Sequence, residues 1–306
     1  GGILNSAKKI QATDEEDLYQ SARNRLTDLI KLGTGAVEIK SGYGLTTEAE
    51  LKMLRVIRRL KKEMPIPVRA TFMGAHAIPT DYKNDKVAYI NLVINEMLPQ
   101  VAKHQLADYV DIFCEKGFFD LSDTEKILAA ADRYQLKSKI HVNQFNSFGG
   151  VDLAVKYNAL SVDHLEELSS FDITSLQKAN TLPVALPGCS FFLGIPYTPV
   201  RKLIDNDLGV VLASDYNPGS SPSGNMNMVN ALACIKMKML PEEVINASTI
   251  NAAHAIEVDQ QVGSVAKGKR ANLIITKKIP SYGFMPYAFG TDSIDHVMIN
   301  GNKFDG

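Results

Sequence analysis

Residues 14 to 32, DEEDLYQSARNRLTDLIKL, set Leu18, Ala22, Leu26, Leu29 and Ile30 three or four positions apart behind an acidic first turn, then stop at Gly33. That spacing predicts an amphipathic helix, the first of the chain, with thirteen residues ahead of it. A short apolar run, AVEIK at 36 to 40, follows, then a polar turn, SGYGLTT, and a second helical stretch from about 47 to 63 carrying Leu51, Leu54, Ile57 and Leu60. The alternation recurs. Strands are predicted near 67 to 72, 109 to 113, 138 to 142, 160 to 164, 182 to 186 and 209 to 214, with helical patterns between them, which makes seven βα units. Thr46 or Thr47 can cap the second helix, and Ser122-Asp-Thr-Glu125 reads as a capping box. Short apolar strands alternating with helices build a parallel sheet covered by helices. Seven or eight units, with no GxGxxG after an early strand, favour a (β/α)8 TIM-type barrel over a doubly wound sheet. After residue 257 the pattern changes to GSVAKGKRANLIITKK, an aromatic-rich loop and DSIDHVMINGNKF, short strands and turns. The expected division is a barrel domain over 1–257 and the strands of a small β domain over 258–306.

Composition narrows the partners. With 33 basic and 34 acidic side chains the formal charge is −1, so no global field holds a nucleic acid or an anionic membrane, and neither is expected as a partner. No apolar run approaches bilayer length, and GGILNSAKK lacks the apolar core of a signal peptide, so a cytoplasmic location is expected. Three widely spaced cysteines, Cys114, Cys189 and Cys234, exclude a disulfide framework or a CxxC zinc site. They read as small buried hydrophobes, Cys114 and Cys189 lying on strands with no base beside them.

In a barrel, function collects at the C-terminal ends of the strands. Here those ends run into Ser41-Gly-Tyr43-Gly44, His76, Glu115, His141-Val-Asn143-Gln144, His164 with Glu166, and Asp215-Tyr-Asn217-Pro-Gly219-Ser220. His104, His254 and His296 sit in helical or tail contexts and read as structural. Neutral imidazole and carboxylate are the ligands of a catalytic zinc or iron that keeps one position open for water, and hydrolysis is its natural use. A nearby carboxylate can take the water's proton, and a further histidine can orient the water or polarise the substrate. The amides of the Asn217–Ser220 turn could anchor an anionic substrate tail.

His141 on one strand, His164 on the next, Asp215 on the last and the GSVAKGKRANLII tail together resemble the metal-dependent amidohydrolase superfamily. Within it, VEIKSGYGLTTEAELKMLRVIRRL, GAHAIPTDYK, KIHVNQ, SVDHLEE and SDYNPGSSPSGNMN resemble the imidazolonepropionase family, from about residue 1 to 300. The resemblance implies metal-dependent hydrolysis of 4-imidazolone-5-propanoate to N-formimidoyl-L-glutamate in histidine degradation. It implies one metal, zinc or iron, with His141 and Asp215 as ligands and Asp215 also a proton acceptor. His164 would act at the attacked carbon or its oxygen. Tyr43, His76, Asn217, Gly219 and Ser220 would contact the substrate, and a homodimer is expected. The position three after the metal histidine is Glu in some members; here it is Gln144, whose amide can hydrogen-bond but cannot accept a proton. The superfamily's His-x-His pair is absent from the sequence, which begins Gly-Gly. The expectation is therefore the C-terminal three quarters of such an enzyme, lacking its first strand, with weak metal binding and little activity alone. Two exposed sheet edges should then make it poorly stable or self-associating. A sibling cyclic amidohydrolase, a heterocycle deaminase and a truncated, catalytically silent barrel remain the alternatives.

Overall fold

A computed structural model describes residues 2–306; Gly1, the first residue of the expected barrel domain, lies outside them. The chain opens with α1 (Gly2–Ala12) and α2 (Glu15–Lys31). Helix α1 occupies the stretch that was expected to precede the first helix. Ile3, Ala7 and Ile10 give it an apolar stripe, and Ala7 is buried against Leu45 and Ala77. Asp14 caps α2 by accepting from Asp17 N at 2.7 Å.

The βα alternation then runs as read from the sequence: β1 (Val37–Lys40), α3 (Thr47–Glu63), β2 (Val68–Ala75), and α4 (Lys86–Leu92) joined to α5 (Leu98–Lys103) by a π-helical turn at Val93–Met97. Next come β3 (Tyr109–Cys114), α6 (Leu121–Asp132), β4 (Lys137–Val142), α7 (Gly150–Lys156), β5 (Ser161–His164) and α8 (Ser170–Leu176). The last barrel elements are β6 (Leu182–Ala185), α9 (Pro187–Leu193), α10 (Val200–Ile204) and β7 (Val211–Leu212), closed off by α11 (Met226–Met237), α12 (Pro241–Ser248) and α13 (Ile250–Ala255). Thr46 is the cap of α3. The box expected at Ser122 and Glu125 is displaced by two residues: Asp120 caps α6 and exchanges hydrogen bonds with Asp123, so Ser122 lies inside the first turn. Cys189 lies on α9 and not on a strand, because Pro187 starts that helix directly after β6. The seventh strand shrinks to two residues.

All seven strands are parallel, in sequence order β1 to β7. Among the described residues β1 and β7 each pair on one side only. The sheet is strongly curled, and one ion pair proves it. Lys40 Nζ on β1 reaches Asp163 on β5 at 3.0 Å, although four strand spacings on a flat sheet would separate them by roughly 19 Å. The convex face packs on the helices through a core that includes Leu54, Ile57, Phe72, Val110, Ile112, Ile140 and Val162. The concave face bounds a cavity of about 1520 Å³ that runs from the mouth to the gap between β1 and β7.

Beyond α13, β8 (Leu273–Thr276), α14 (Phe284–Tyr287), β9 (Ile294–Ile299) and β10 (Asn302–Lys303) follow, the strands forming a separate antiparallel sheet in the order β10-β9-β8. Asn272 and Asn300 tie this sheet to the entries of β1 and β2 by donating to Gly35 O and Pro65 O, both at 2.9 Å. The same rim, opposite the mouth, is pinned to the end of α13. Arg69 donates to Ile256 O and Glu257 O at 3.0 and 2.8 Å, and the Tyr109 hydroxyl donates to Ile256 O at 2.9 Å.

Candidate functional site

Four of the expected residues form a row of rings across the mouth. Tyr43 meets His76 edge-on with centroids 5.0 Å apart, His76 lies 6.4 Å from His141, and His141 lies 5.2 Å from His164. Tyr43 is placed by the turn after β1. Gly42 sits at φ +101°, and a Cβ there would meet Met73 O at 2.8 Å. Glu50, fully buried on α3, accepts the amides of Gly42, Gly44 and Leu45 at 2.9, 2.7 and 2.9 Å and fixes the loop. His76 is held by donating from Nδ1 to Gly42 O at 2.9 Å. Burial, and then the neighbouring His141, hold its imidazole down at about 4, so it is neutral at pH 7. Burial, followed by the charge of Asp215, pushes the Tyr43 phenol up.

His141 is buried on β4, its Nδ1 3.0 Å from the Asp111 carboxylate. This leaves Nε2 as its donor toward the cavity, the arrangement in which a carboxylate orients an imidazole for metal ligation. Asp111 and Asp163 converge on His141, but the Lys40 ammonium lies 2.5 and 3.0 Å from their carboxylates, and Lys139 pairs with Glu38 at 2.7 Å. Although burial opposes it, His141 and Lys40 hold the Asp111 carboxyl far below its usual range. Against the same burial, Lys139 and Lys40 bring Glu38 to about 2.

His164 ends β5 with φ +88°, followed by Leu165 at +63°, while Asn143 and Asp215 also sit at positive φ, +56° and +50°. Left-handed backbone on four non-glycine residues at the strand ends is the kind of strain that clusters at functional sites. His164 Nδ1 lies 3.3 Å from Glu166, and the Thr198 hydroxyl donates to its carbonyl at 2.6 Å. Burial disfavours its charge, but contacts with Cys189 and Glu166 outweigh this and raise the imidazole well above its usual range. Cys189 is thus not the isolated core thiol expected from sequence. Gln144 is buried, with Nε2 directed at Cys189 Sγ, 3.6 Å away.

Asp215 heads the turn after β7, accepting from the Ser220 hydroxyl at 3.1 Å. Asn217 organises the turn: its Oδ1 accepts from the amides of Gly219 and Ser220 at 2.8 and 2.9 Å, and its Nδ2 donates to Asp215 O at 2.7 Å. His104, His254 and His296 lie on α5's end, α13 and β9, away from the mouth.

The donor set fits a metal in part. His141, oriented by Asp111, and Asp215 would supply imidazole and carboxylate, two donors of a set that in catalytic zinc sites numbers three or more, and neither buried trio of metal-capable side chains among the described residues includes Asp215. Sequence reasoning missed Glu50, Asp111 and Lys40. Their signal is a charge inside an apolar stretch, the Asp of YVDIFC most plainly. Glu115, noted at its strand end, accepts the amides of Phe145 and Asn146 at 2.9 and 3.3 Å and so anchors the loop after Gln144.

The profile of the amidohydrolase family matches residues 3–303. The imidazolonepropionase of Christiangramia forsetii is 62% identical over 301 residues, 98% of this chain and 73% of that protein. That of Flavobacterium johnsoniae is 60% identical with the same coverage. Among solved structures, the guanine deaminase of E. coli superposes with a TM-score of 0.77 at 12% identity, covering 98% of this chain and 77% of that one. The chain spans about three quarters of the length of these relatives.

Proposed function

The chain belongs to the amidohydrolase family, and from that premise we infer that it catalyses imidazolonepropionase chemistry, the hydrolysis of 4-imidazolone-5-propanoate to N-formimidoyl-L-glutamate. The observation that carries this is the 62% identity to an imidazolonepropionase across 98% of the chain. Water adds to the ring amide carbon, the C–N bond breaks, the carbon becomes a carboxylate and the freed nitrogen stays in the formimidoyl group.

The family is metal-dependent, and His141 and Asp215 would hold the ion, zinc or iron, as part of its ligand set. When bound, such an ion polarises the attacked amide and acidifies water at neutral pH. Asp215 takes the proton of the attacking water. His164, kept cationic by Glu166 and Cys189, donates to the oxygen on which charge develops. His76, neutral, and Tyr43 close one side of the ring plane, and Gln144 hydrogen-bonds without exchanging a proton. Asn217, Gly219 and Ser220 receive the propanoate. The same reading makes residues 1–257 the catalytic domain and 258–306 part of a small β domain, in a cytoplasmic homodimer acting on a small molecule. No helix of the described residues is long and apolar enough to cross a membrane.

The test is turnover by the metal-supplemented protein, followed by loss of the imidazolone absorbance. Hydrolysis of 4-imidazolone-5-propanoate with none of the imidazolone lacking the propanoate is expected. Equal rates on both, or release of ammonia from guanine at a comparable rate, would move the assignment to a sibling hydrolase or deaminase.

A further inference from the structure

Two clusters among the described residues bring three buried metal-capable side chains together: Asp111 with His141 and Asp163, and His164 with Glu166 and Cys189. The first already holds a cation, the Lys40 ammonium, against both carboxylates. The second holds no lysine or arginine, and its only positive charge is the His164 proton, which a metal ion would displace on binding. Its candidate donor atoms all lie within 4.8 Å of one another. Glu166 spends Oε1 on the His164 ring and the Ser190 hydroxyl, at 3.3 and 3.2 Å, while its other oxygen, Oε2, is buried with no partner. A carboxylate oxygen left bare in the interior costs free energy that a ligand would recover. The fixed backbone helps. Thr198 clamps the carbonyl of His164, and α9 carries Cys189 on regular helix.

We propose that His164, Glu166 and Cys189 form a binding site for a thiophilic divalent cation, Zn²⁺ or Cd²⁺, distinct from the His141 and Asp215 pair. Sulfur, imidazole nitrogen and carboxylate oxygen are the donors such ions favour, and a tetrahedral ion about 2.0–2.3 Å from each needs donors roughly 3.3–3.8 Å apart, which this cluster approaches. Gln144 Nε2, 3.6 Å from Sγ, lies where it can hydrogen-bond a thiolate held by the ion. Because His164 is assigned above to the substrate oxygen, an ion here would be inhibitory. That consequence rests on the proposed function, whereas binding itself does not.

The test is titration of the purified full chain with Cd²⁺ while following the thiolate-to-cadmium charge-transfer absorption, which requires no turnover. One saturable equivalent is expected. It should vanish in Cys189→Ser, weaken at least tenfold in Glu166→Gln, and persist in His141→Ala. Absence of the band in the parent, its survival in Cys189→Ser, parent-like affinity in Glu166→Gln or its loss in His141→Ala would overturn the site. Should Cys189→Ser fail to fold, the double variant Cys114→Ser, Cys234→Ser decides, because it keeps the band only if Cys189 is the sulfur donor.

Discussion

At the scale of single residues, the interior of the curled sheet is charged where an ordinary core is apolar. The Lys40 ammonium is the keystone of this arrangement, since it pairs with Asp111 and Asp163 at once. Replacing it by Met takes from both buried carboxylates the cation they share, so Lys40→Met should lower unfolding free energy by about 3–5 kcal/mol in urea denaturation. The pairing was not legible from sequence, because the strand patterns do not reveal which charges meet, and the partners lie 71 and 123 residues from Lys40. His141, His164, His76 and Asp215 were legible for the opposite reason: each directly follows or ends an apolar run, where a barrel gathers its chemistry. His76 also carries a pH signature. Its folded value, about 4, lies below the 6.5 of an exposed imidazole. The unfolded chain therefore takes up the proton first as pH falls, and stability drops between pH 6.5 and 4 by up to about 1.4 kcal/mol per unit. His76→Asn should remove that share of the slope, as read by thermal melts across the range.

At the scale of elements, local rules placed most boundaries and tertiary bonds placed the rest. Helix α3 begins and ends where its apolar spacing and Thr46 predict. Helix α6 does not follow the Ser122 signal, because Lys86 from α4 pairs with both Asp120 and Asp123 and stabilises the cap formed two residues earlier. The turn after β1 shows how an element serves the site. Three backbone amides depend on Glu50 alone, so Glu50→Ala strands buried donors and should cost about 3 kcal/mol or more. Tyr43 rides on that turn, so the same variant should raise KM for the substrate, whereas a variant that only weakened the fold would leave KM unchanged once folded protein is counted.

At the scale of the whole molecule, the seven parallel strands and their curl into a barrel followed from the alternation of strands and helices, but the buried ionic network that fills the curl did not, since it is set by contacts between distant strands. Among the described residues the two outer strands, β1 and β7, each keep one row of backbone groups unpaired by the sheet, which marks the seam between them as the place where the barrel is open. The bonds from Arg69 to Ile256 and Glu257 bear on how quickly that architecture is won and lost. They join residues 187 and 188 positions apart, so the chain between them must already be compact before they form, and the entropy of closing so long a loop delays them. Contacts made after the rate-limiting barrier govern the rate of escape and leave the rate of arrival nearly untouched. In stopped-flow measurements Arg69→Ala should unfold several-fold faster and refold at close to the parent rate, which makes the rim opposite the mouth a kinetic latch.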